Sequence, residues 1–314
     1  FIRPVAKLFD HFFQLPFTVQ KIQDLDLIIF PVFPPPPILN LQTRFQIIPV
    51  IHDTVLWNYK ETSSFIARTY FKTLHNLSLK KRGTKIVTIS ETVKKELSLL
   101  TKNEIFNFSN SISDLFINIK TEQSNIFTKL SIVKENYFLS VSTIEPRKNI
   151  LYLLKIFQKL CEDKKFDMKL VLVGRHGWGI EKSFDDLLKR LKNKVVLTDY
   201  LADEDLISLY HHCSLFIMPS IYEGFGKPPI EALACGAKTL VSDIPIFRET
   251  LGDKSDYIPL DNMNKAVEII KKTILKPKNE PKNYYPISNF SESFDLSRLV
   301  QNNRFKSTNK FDVP

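Results

Sequence analysis

The chain has 314 residues, with 44 lysines and arginines against 34 aspartates and glutamates, which gives a formal charge of +10. This charge favours an anionic partner. No Arg-rich tract, zinc module or RNP-like motif indicates that the partner is a nucleic acid. This length allows two domains with separate cores, and the three scattered cysteines, Cys161, Cys213 and Cys235, exclude a disulfide framework and favour a reducing compartment. No apolar run reaches the length of a membrane span and no signal peptide opens the sequence, so we expect a cytoplasmic protein, soluble or peripheral to a membrane.

Two apolar runs and a histidine mark the first part of the chain. Leu25 to Phe30 and Gln46 to Ile51 have the length of buried strands, and four prolines at 34–37 form a stiff loop between them. His52 and Asp53 follow the second run directly, and ligands bind at the carboxyl ends of strands in open parallel sheets. We therefore predict that His52 hydrogen-bonds or relays a proton in a site, although a lone histidine is more often an ordinary loop residue.

Residues 63–82 repeat with a helical period and carry a basic outer face. The pattern turns apolar positions inward, among them Thr69, Leu74, Leu77 and Leu79, and it leaves five cations outside: Arg68, Lys72, Lys80, Lys81 and Arg82. Such a face is either simply solvated or a contact for an anionic membrane surface, and both interpretations stay open. Residues 85–89 read as the next strand, with Ser90 as the N-cap of the helix that follows.

The polar stretch 117–135 has little periodicity and is the best candidate for an interdomain linker. After it, strands are predicted at 137–141, 169–173, 195–197, 214–218 and 238–242, and helices at 149–160, 181–191, 203–210 and 229–235. This alternation requires right-handed crossovers between parallel strands. The sequence therefore predicts a doubly wound, Rossmann-like domain in this part of the chain.

The stretch from Pro219 to Gly236 reads P-S-I-Y-E-G-F-G-K-P-P-I-E-A-L-A-C-G, a glycine loop between a buried strand and a short helix. Gly224 and Gly226 let an anion approach the backbone, and the first helical turn adds N–H groups and a favourable dipole. Glu231 in the helix can accept hydrogen bonds from two vicinal hydroxyls, and Glu223 lies one loop earlier. Alternatively, Glu231 merely complements the helix dipole and Glu223 is a solvated turn residue.

This stretch resembles the E-x7-E signature, E-G-F-G-x-P-x-x-E-A, of the retaining family 4 glycosyltransferases, which have the GT-B fold. The resemblance implies that Glu223 lies by the donor hexose, that Glu231 binds the nucleotide ribose and that the loop backbone holds the diphosphate through Gly224, Phe225, Gly226 and Lys227. The H-D pair, His52 and Asp53, resembles the pair that faces the sugars across the cleft in this family. Together with Glu223, this pair forms the implied catalytic set.

Two more loops at predicted strand ends resemble donor-binding segments of the same family. Residues 145–149 read E-P-R-K-N, and their cations, Arg147 and Lys148, are placed to form charge-assisted bonds with a diphosphate. Residues 171–179 resemble the family's L-V-x-V-G segment, which implies that Gly174 and Arg175 lie near the nucleotide base. Tyr200 and Leu201, after the next strand, would close the base pocket.

The resemblance implies two Rossmann-like, doubly wound domains that face each other across a cleft. We expect an acceptor-side domain in 1–125, a nucleotide-sugar-binding domain in 126–280 and a tail, 281–314, that in this family crosses back to the first domain. The family's usual first strand and glycine-rich loop are not visible before Leu25, and the chain opens on Phe1 rather than Met. The N-terminal domain is therefore expected to be truncated or minimal.

The expected function is that of a retaining, metal-independent and cofactor-free glycosyltransferase. It would move a hexose from a nucleotide-diphosphate sugar to a saccharide or lipid-linked saccharide in the synthesis of surface polysaccharide or lipopolysaccharide, at the inner face of the plasma membrane. The motifs resemble those of bacterial mannosyltransferases, which favours GDP-mannose as donor, with UDP-hexoses next. The alternative is a catalytically inactive protein that binds sugar nucleotides but cannot seat an acceptor.

Overall fold

The computed structural model of the chain describes residues 15–22, 25–40, 45–59, 65–116, 124–177, 179, 182–278 and 299. It divides into two compact units, one made of Phe1–Ser109 with Asn289–Pro314 and the other of Asn110–Ser288. Each unit contains its own parallel sheet. None of the helices in the described ranges combines the length and the apolar composition of a membrane span.

The first unit is built on a four-stranded parallel sheet in the order β1-β2-β3-β4. Its strands are β1 (Leu27–Phe30), β2 (Gln46–Ile51), β3 (Ile86–Thr88) and β4 (Ile105–Asn107). The described helices of this unit are α1 (Leu15–Gln20), which precedes β1, and α2 (Pro37–Asn40), α3 (Val55–Asn58), α4 (Phe65–Lys80) and α5 (Glu91–Ser98), which lie between the strands in sequence. Ser90 caps α5 as predicted, because its Oγ accepts a hydrogen bond of 3.2 Å from the backbone N–H of Val93.

Helix α4 shows where the predicted faces are right and where they are wrong. Leu74 and Leu79 are buried as predicted, but Thr69 and Leu77 are exposed. Leu77 lies two turns after the exposed Tyr70, so both side chains project from the same solvent-facing stripe. Lys80 is exposed beside that stripe. The helix includes Arg68, but its side chain is not among those that the structure describes.

One described residue of the predicted tail belongs to the core of the first unit. Leu299 is fully buried and packs in a cluster with Ile48, Val87, Phe106 and Phe108, which come from β2, β3 and the end of β4. Burying a leucine side chain stabilises a fold by roughly 1.5–3 kcal/mol. The rest of the predicted tail lies outside the described residues.

The second unit has a six-stranded sheet in the order β10-β9-β8-β5-β6-β7, with every adjacent pair parallel. The strands are β5 (Tyr137–Val141), β6 (Lys169–Val173), β7 (Val195–Thr198), β8 (Leu215–Met218), β9 (Thr239–Ser242) and β10 (Asp256–Ile258). The strands β5 to β9 match the five predicted strands to within a residue at either end. Because β5 is first in sequence and lies in the middle of the sheet, the fold winds outward from it in both directions, as predicted.

Helices cover both faces of this sheet. They are α6 (Ile126–Lys129), α7 (Ile150–Cys161), α8 (Lys182–Arg190), α9 (Asp203–His212), α10 (Lys227–Ala234), α11 (Pro245–Leu251) and α12 (Met263–Leu275). Helix α7 buries most of one side against the strands, with Leu153, Leu154, Ile156 and Phe157 each fully inaccessible to solvent. This core fixes the loops at the carboxyl ends of the strands.

Candidate active site

The winding of the second sheet reverses between β5 and β8, which lie side by side. In open parallel sheets such a reversal leaves a crevice at the carboxyl ends of the two strands, where ligands bind. The loop 142–149 leaves β5 at this point and the loop 219–226 leaves β8. The two predicted motifs, separated by more than 70 residues in sequence, therefore meet at one place.

An ion-pair cluster of four side chains joins these loops. Arg147 donates from Nε and Nη2 to Glu145 Oε1, at 3.0 and 2.7 Å, and from Nη1 to Glu223 Oε2, at 2.9 Å. Lys148 Nζ donates to Glu223 Oε1 at 2.6 Å. Both oxygens of Glu223 are thus held by cations, so this carboxylate has a fixed orientation.

The charges of this cluster balance, because two carboxylates face two cations. The side chains of Glu145 and Glu223 are each 6% exposed, and a buried carboxylate without partners would cost several kcal/mol. Backbone contacts support the pairing: Ile221 N donates to Arg147 O at 2.8 Å, and Arg147 Nη1 reaches Tyr222 O at 3.2 Å.

The local backbone explains how Arg147 and Lys148 are presented together. Pro146 begins a single 3-10 turn, Pro146–Lys148, which is a position where proline loses no hydrogen bond. Asn149 ends that turn in the left-handed region, with φ 56° and ψ 35°, and begins helix α7. Asparagine tolerates this conformation better than most residues, so the turn and the helix meet at a defined angle.

The glycine loop depends on close packing at Gly226. This residue has φ 81° and ψ 60°, and a Cβ there would lie 2.5 Å from Cε1 of Phe247 in helix α11. Helix α10 begins directly after it, at Lys227. Because Pro228 and Pro229 follow, the first three helical positions supply a single N–H, that of Lys227, rather than the three that an ordinary first turn offers. The loop backbone before the helix must therefore provide most of any anion contact.

Glu231 lies in the second turn of α10 and is partly exposed. Its Oε2 accepts a hydrogen bond of 2.9 Å from the hydroxyl of Tyr210 in helix α9. Burial raises the pKa of the Glu231 carboxyl, while the Tyr210 hydroxyl and Lys227 oppose that rise. A carboxylate at the edge of a crevice can accept hydrogen bonds from ligand hydroxyls through its remaining lone pairs.

The loop after β6 packs tightly against the loop after β5. Gly174 has φ 145°, and a Cβ there would lie 2.0 Å from the carbonyl oxygen of Ser142. Backbone bonds of 2.9 Å from Ile144 N to Arg175 O and from Gly177 N to Ile144 O extend the contact. The side chain of Arg175 is exposed. A bulkier residue than glycine at position 174 would separate the two loops.

Tyr200 and Leu201 follow β7, two strands away from β5. Tyr200 is 72% exposed and Leu201 is buried. Adjacent strands lie about 4.8 Å apart, so the loop ends from β8 to β7 form a row roughly 14 Å long. Arg147, Lys148 and Glu223 are in direct contact in this row, whereas Tyr200 lies at its far end.

His52 and Asp53 lie in the first unit, at the carboxyl end of β2 as predicted. His52 Nε2 lies 2.5 Å from Pro31 O, and because a carbonyl oxygen can only accept, Nε2 is the donor in this bond. Asp53 Oδ1 accepts a hydrogen bond of 3.0 Å from Val55 N. Asp53 thus stabilises the turn into helix α3 with one of its oxygens.

Two residues of this arrangement were not among the sequence candidates. Glu145 belongs to the E-P-R-K-N motif, but only the three-dimensional structure shows that it is buried and bonded to Arg147. Tyr210 has no sequence signal, because a tyrosine within an amphipathic helix reads as an ordinary core residue. Its partner, Glu231, lies 21 residues further along the chain.

The architecture has known counterparts among solved structures. Anabaena HepE in complex with UDP and glucose superimposes with a TM-score of 0.65 at 17% identity, over 83% of this chain and 71% of that one. TarM of S. aureus, solved with UDP and other ligands, gives a TM-score of 0.62 at 18% identity, over 83% of this chain and 51% of that one. The fold is therefore that of the GT-B glycosyltransferases, with two Rossmann-like domains.

The sequence identifies the family. The family described as Glycosyl transferases group 1 matches residues 122–286, which is more than half of the chain, and the chain belongs to this family. It is 32% identical to the O-antigen chain mannosyltransferase RfbU of Salmonella typhimurium over 229 residues, 72% of this chain and 59% of that protein. It is 30% identical to the serotype-specific mannosyltransferase WbdA of Escherichia coli over 191 residues, 57% of this chain and 23% of that protein. The chain thus spans less than two thirds of the length of either relative.

Proposed function

We propose that the chain is a retaining, metal-independent hexosyltransferase that takes mannose from GDP-mannose and transfers it to a saccharide or lipid-linked saccharide of a surface polysaccharide. The observation that carries this proposal is the contact of Arg147 and Lys148 with Glu223 at the point where the sheet winding reverses. A donor diphosphate and a hexose need cations and a carboxylate side by side, and the cluster has both.

The choice of mannose rests on the relatives. RfbU and WbdA are both named mannosyltransferases. So is the O-antigen chain mannosyltransferase B of Escherichia coli, which is 35% identical to this chain over 134 residues. HepE and TarM were solved with UDP, so a UDP-hexose is the second choice of donor. The base therefore has to be identified by experiment.

The proposed chemistry breaks the bond between the anomeric carbon and the β-phosphate oxygen and forms a bond from that carbon to an acceptor hydroxyl oxygen. The proton of that hydroxyl passes to the phosphate oxygen of the leaving diphosphate. Arg147 and Lys148 would offset the charge that develops on the leaving diphosphate, in place of a metal ion. Glu223 would orient the hexose. His52, through Nδ1, would accept a hydrogen bond from the acceptor or from the sugar.

Thermal unfolding with millimolar GDP, UDP or ADP is the first test. A nucleotide at about 100 times its dissociation constant stabilises the folded protein by roughly 2.7 kcal/mol, which is a visible shift in Tm. We expect GDP to give the largest shift and Glu231→Ala to abolish it. Glu268→Ala, at an exposed position of α12, is the matched control and should leave the shift intact.

An assay of sugar transfer distinguishes the proposed enzyme from an inactive protein that only binds sugar nucleotides. Radiolabelled GDP-mannose with lipid-linked O-antigen precursors should give a labelled glycolipid, and Glu223→Gln should reduce the rate. Nucleotide binding without transfer to any acceptor would support the inactive protein instead. The absence of a shift with all three nucleotides would contradict both functions.

We also propose that helix α4 contacts an anionic membrane surface at the inner face of the plasma membrane. Tyr70 and Leu77 are exposed on one stripe of this helix, with Lys80 beside them. Apolar and cationic side chains on one face favour binding to anionic lipid. Neutralising Arg68, Lys72 and Lys80 should reduce sedimentation with phosphatidylglycerol vesicles, and unchanged sedimentation would exclude this contact.

A further inference from the structure

The hydroxyl of Tyr210 is buried and has a specific partner. Tyr210 is fully inaccessible to solvent, and its Oη lies 2.9 Å from Oε2 of Glu231. Its ring packs edge-on against Phe116 and tilted against Phe216, with centroids 6.1 and 5.6 Å away. The ring is therefore fixed by packing, and its hydroxyl contacts the carboxylate of Glu231 from within the protein core.

The bond is asymmetric with respect to the carboxylate. Oε2 of Glu231 faces the protein interior, while Oε1 accepts no hydrogen bond from the residues that the structure describes. Burial and the adjacent Glu231 carboxylate hold the pKa of Tyr210 well above its usual range, so the phenol stays protonated and keeps donating. The second oxygen is left for a ligand.

We propose that Tyr210 is a positioning residue that fixes the Glu231 carboxylate so that it discriminates a ribose, with its vicinal hydroxyls, from a sugar that lacks one of them. This inference rests on the proposed function, in which Glu231 meets the donor ribose. A glutamate on a helix surface can otherwise rotate among several rotamers, and each would present its oxygens differently. The buried phenol removes that freedom before the nucleotide binds.

Tyr210→Phe tests this inference, because it removes the hydroxyl and keeps the ring that packs against Phe116 and Phe216. The probes are the nucleoside diphosphate that stabilises the wild type and its 2′-deoxy form, and the readout is the ratio of their dissociation constants by calorimetry. We expect the wild type to prefer the ribonucleotide by about tenfold or more, and the variant to lose most of that ratio by weakening ribonucleotide binding.

Tyr137→Phe is the matched control. Tyr137 is also fully buried, and its hydroxyl donates to Leu209 O at 2.7 Å rather than to a site residue. Both variants lose one buried phenol bond and should lose similar stability, but Tyr137→Phe should keep the ribose ratio. Adding Tyr210→Phe to Glu231→Gln should change the ratio no further, because Tyr210 acts through the carboxylate.

The possible outcomes are distinct. A wild-type ratio that survives in folded Tyr210→Phe overturns the inference and leaves the proposed function standing. If Tyr210→Phe does not fold, Glu231→Asp replaces it, since the shorter side chain withdraws the carboxylate from Tyr210; an unchanged ratio there also overturns the inference. A wild type that binds none of the nucleotides overturns the proposed function and this inference together.

Discussion

At the scale of single residues, Glu145 is a buried carboxylate whose one side-chain partner among the described residues is Arg147. It accepts two hydrogen bonds from Arg147, which in turn holds Glu223. Charge-assisted bonds of this kind are worth roughly 1.5–3 kcal/mol each. Glu145 therefore orients Arg147, although we place it in no contact with a substrate.

Glu145→Gln is predicted to lower kcat without raising the KM for the donor. The orientation of Arg147 and Glu223 should loosen, which costs roughly tenfold in kcat, while the loss of one negative charge favours the diphosphate. Steady-state kinetics of donor consumption measure both constants. Glu162→Gln, at an exposed position after helix α7, is the control, and a rise in KM with constant kcat would contradict the prediction.

Gly226→Ala is predicted to destabilise the second unit. The left-handed backbone costs an alanine about 1 kcal/mol, and the overlap with Phe247 adds roughly 1–3 kcal/mol. Gly83→Ala in the first unit, where φ is 77° and no atom lies within 4 Å of the Cβ position, controls for the backbone term. Adding Phe247→Leu to Gly226→Ala should recover part of the loss in chemical denaturation, and no recovery would refute the overlap.

The resemblance of the sequence motifs to a family signature predicted Glu223, Arg147 and Lys148 as site residues, and the structure brings the three side chains into contact. The motifs did not predict that the cations bind the carboxylate, since the contact spans 75 or 76 residues and depends on which strands are neighbours. Tyr210 and Glu145 were not predicted as site residues for the same reason. A hydrogen-bond partner on another element leaves no periodic pattern in the sequence.

At the scale of elements, regular alternation of apolar runs predicted the strands and helices of the second unit well. Predicted and observed strand ends agree because the four central strands, β5, β6, β8 and β9, are buried on both faces and are bounded by polar loops. Helix α4 was harder, since a leucine at an exposed position looks like a buried one in sequence. Leu77 lies just outside the buried arc of that helix.

Helix α4 also contains a buried histidine that should make the first unit sensitive to acid. Burial, assisted by the nearby charge of His52, lowers the pKa of His75 from 6.5 to about 4. His75 Nδ1 has no hydrogen-bond partner among the residues that the structure describes. The folded state thus keeps the ring neutral, whereas the unfolded chain takes up a proton as soon as the pH falls below 6.5.

Stability of the first unit is therefore predicted to fall as the pH drops from about 6.5 to 4, by up to about 3 kcal/mol from His75. The contribution is present above pH 6.5 and is lost through this window. Urea denaturation followed by Trp57 fluorescence in a Trp178→Phe background measures it, because the rings of Trp57 and His75 are 5.9 Å apart. His75→Phe should flatten the pH dependence, and the exposed His176→Gln should not.

At the scale of the whole molecule, the two compact units carry different parts of the proposed function. The proposed donor contacts lie in the second unit, whereas His52 and Asp53 lie in the first. Both sheets could be predicted from sequence as parallel α/β layers. The division of the chain between the units follows from non-local packing, as the burial of Leu299 among residues of the first unit illustrates.

A bound nucleoside diphosphate is predicted to slow hydrogen exchange in the second unit alone. At 100 times its dissociation constant it should slow the amides that exchange by unfolding of that unit about 100-fold. Peptides from 137–141 and 215–231 report on the second unit, and peptides from 46–58 and 86–98 on the first. Equal slowing in both sets would show that the units unfold together.

The contact between Gly174 and Ser142 has a practical consequence for engineering by loop grafting. The segments after β5 and β6 share two backbone hydrogen bonds and have no room for a Cβ at position 174. A transplant of residues 174–177 from another transferase would bring its own backbone path and leave the native 142–144 segment mismatched. Chimeras that exchange both segments together should fold, and those that exchange either one should be recovered in lower yield.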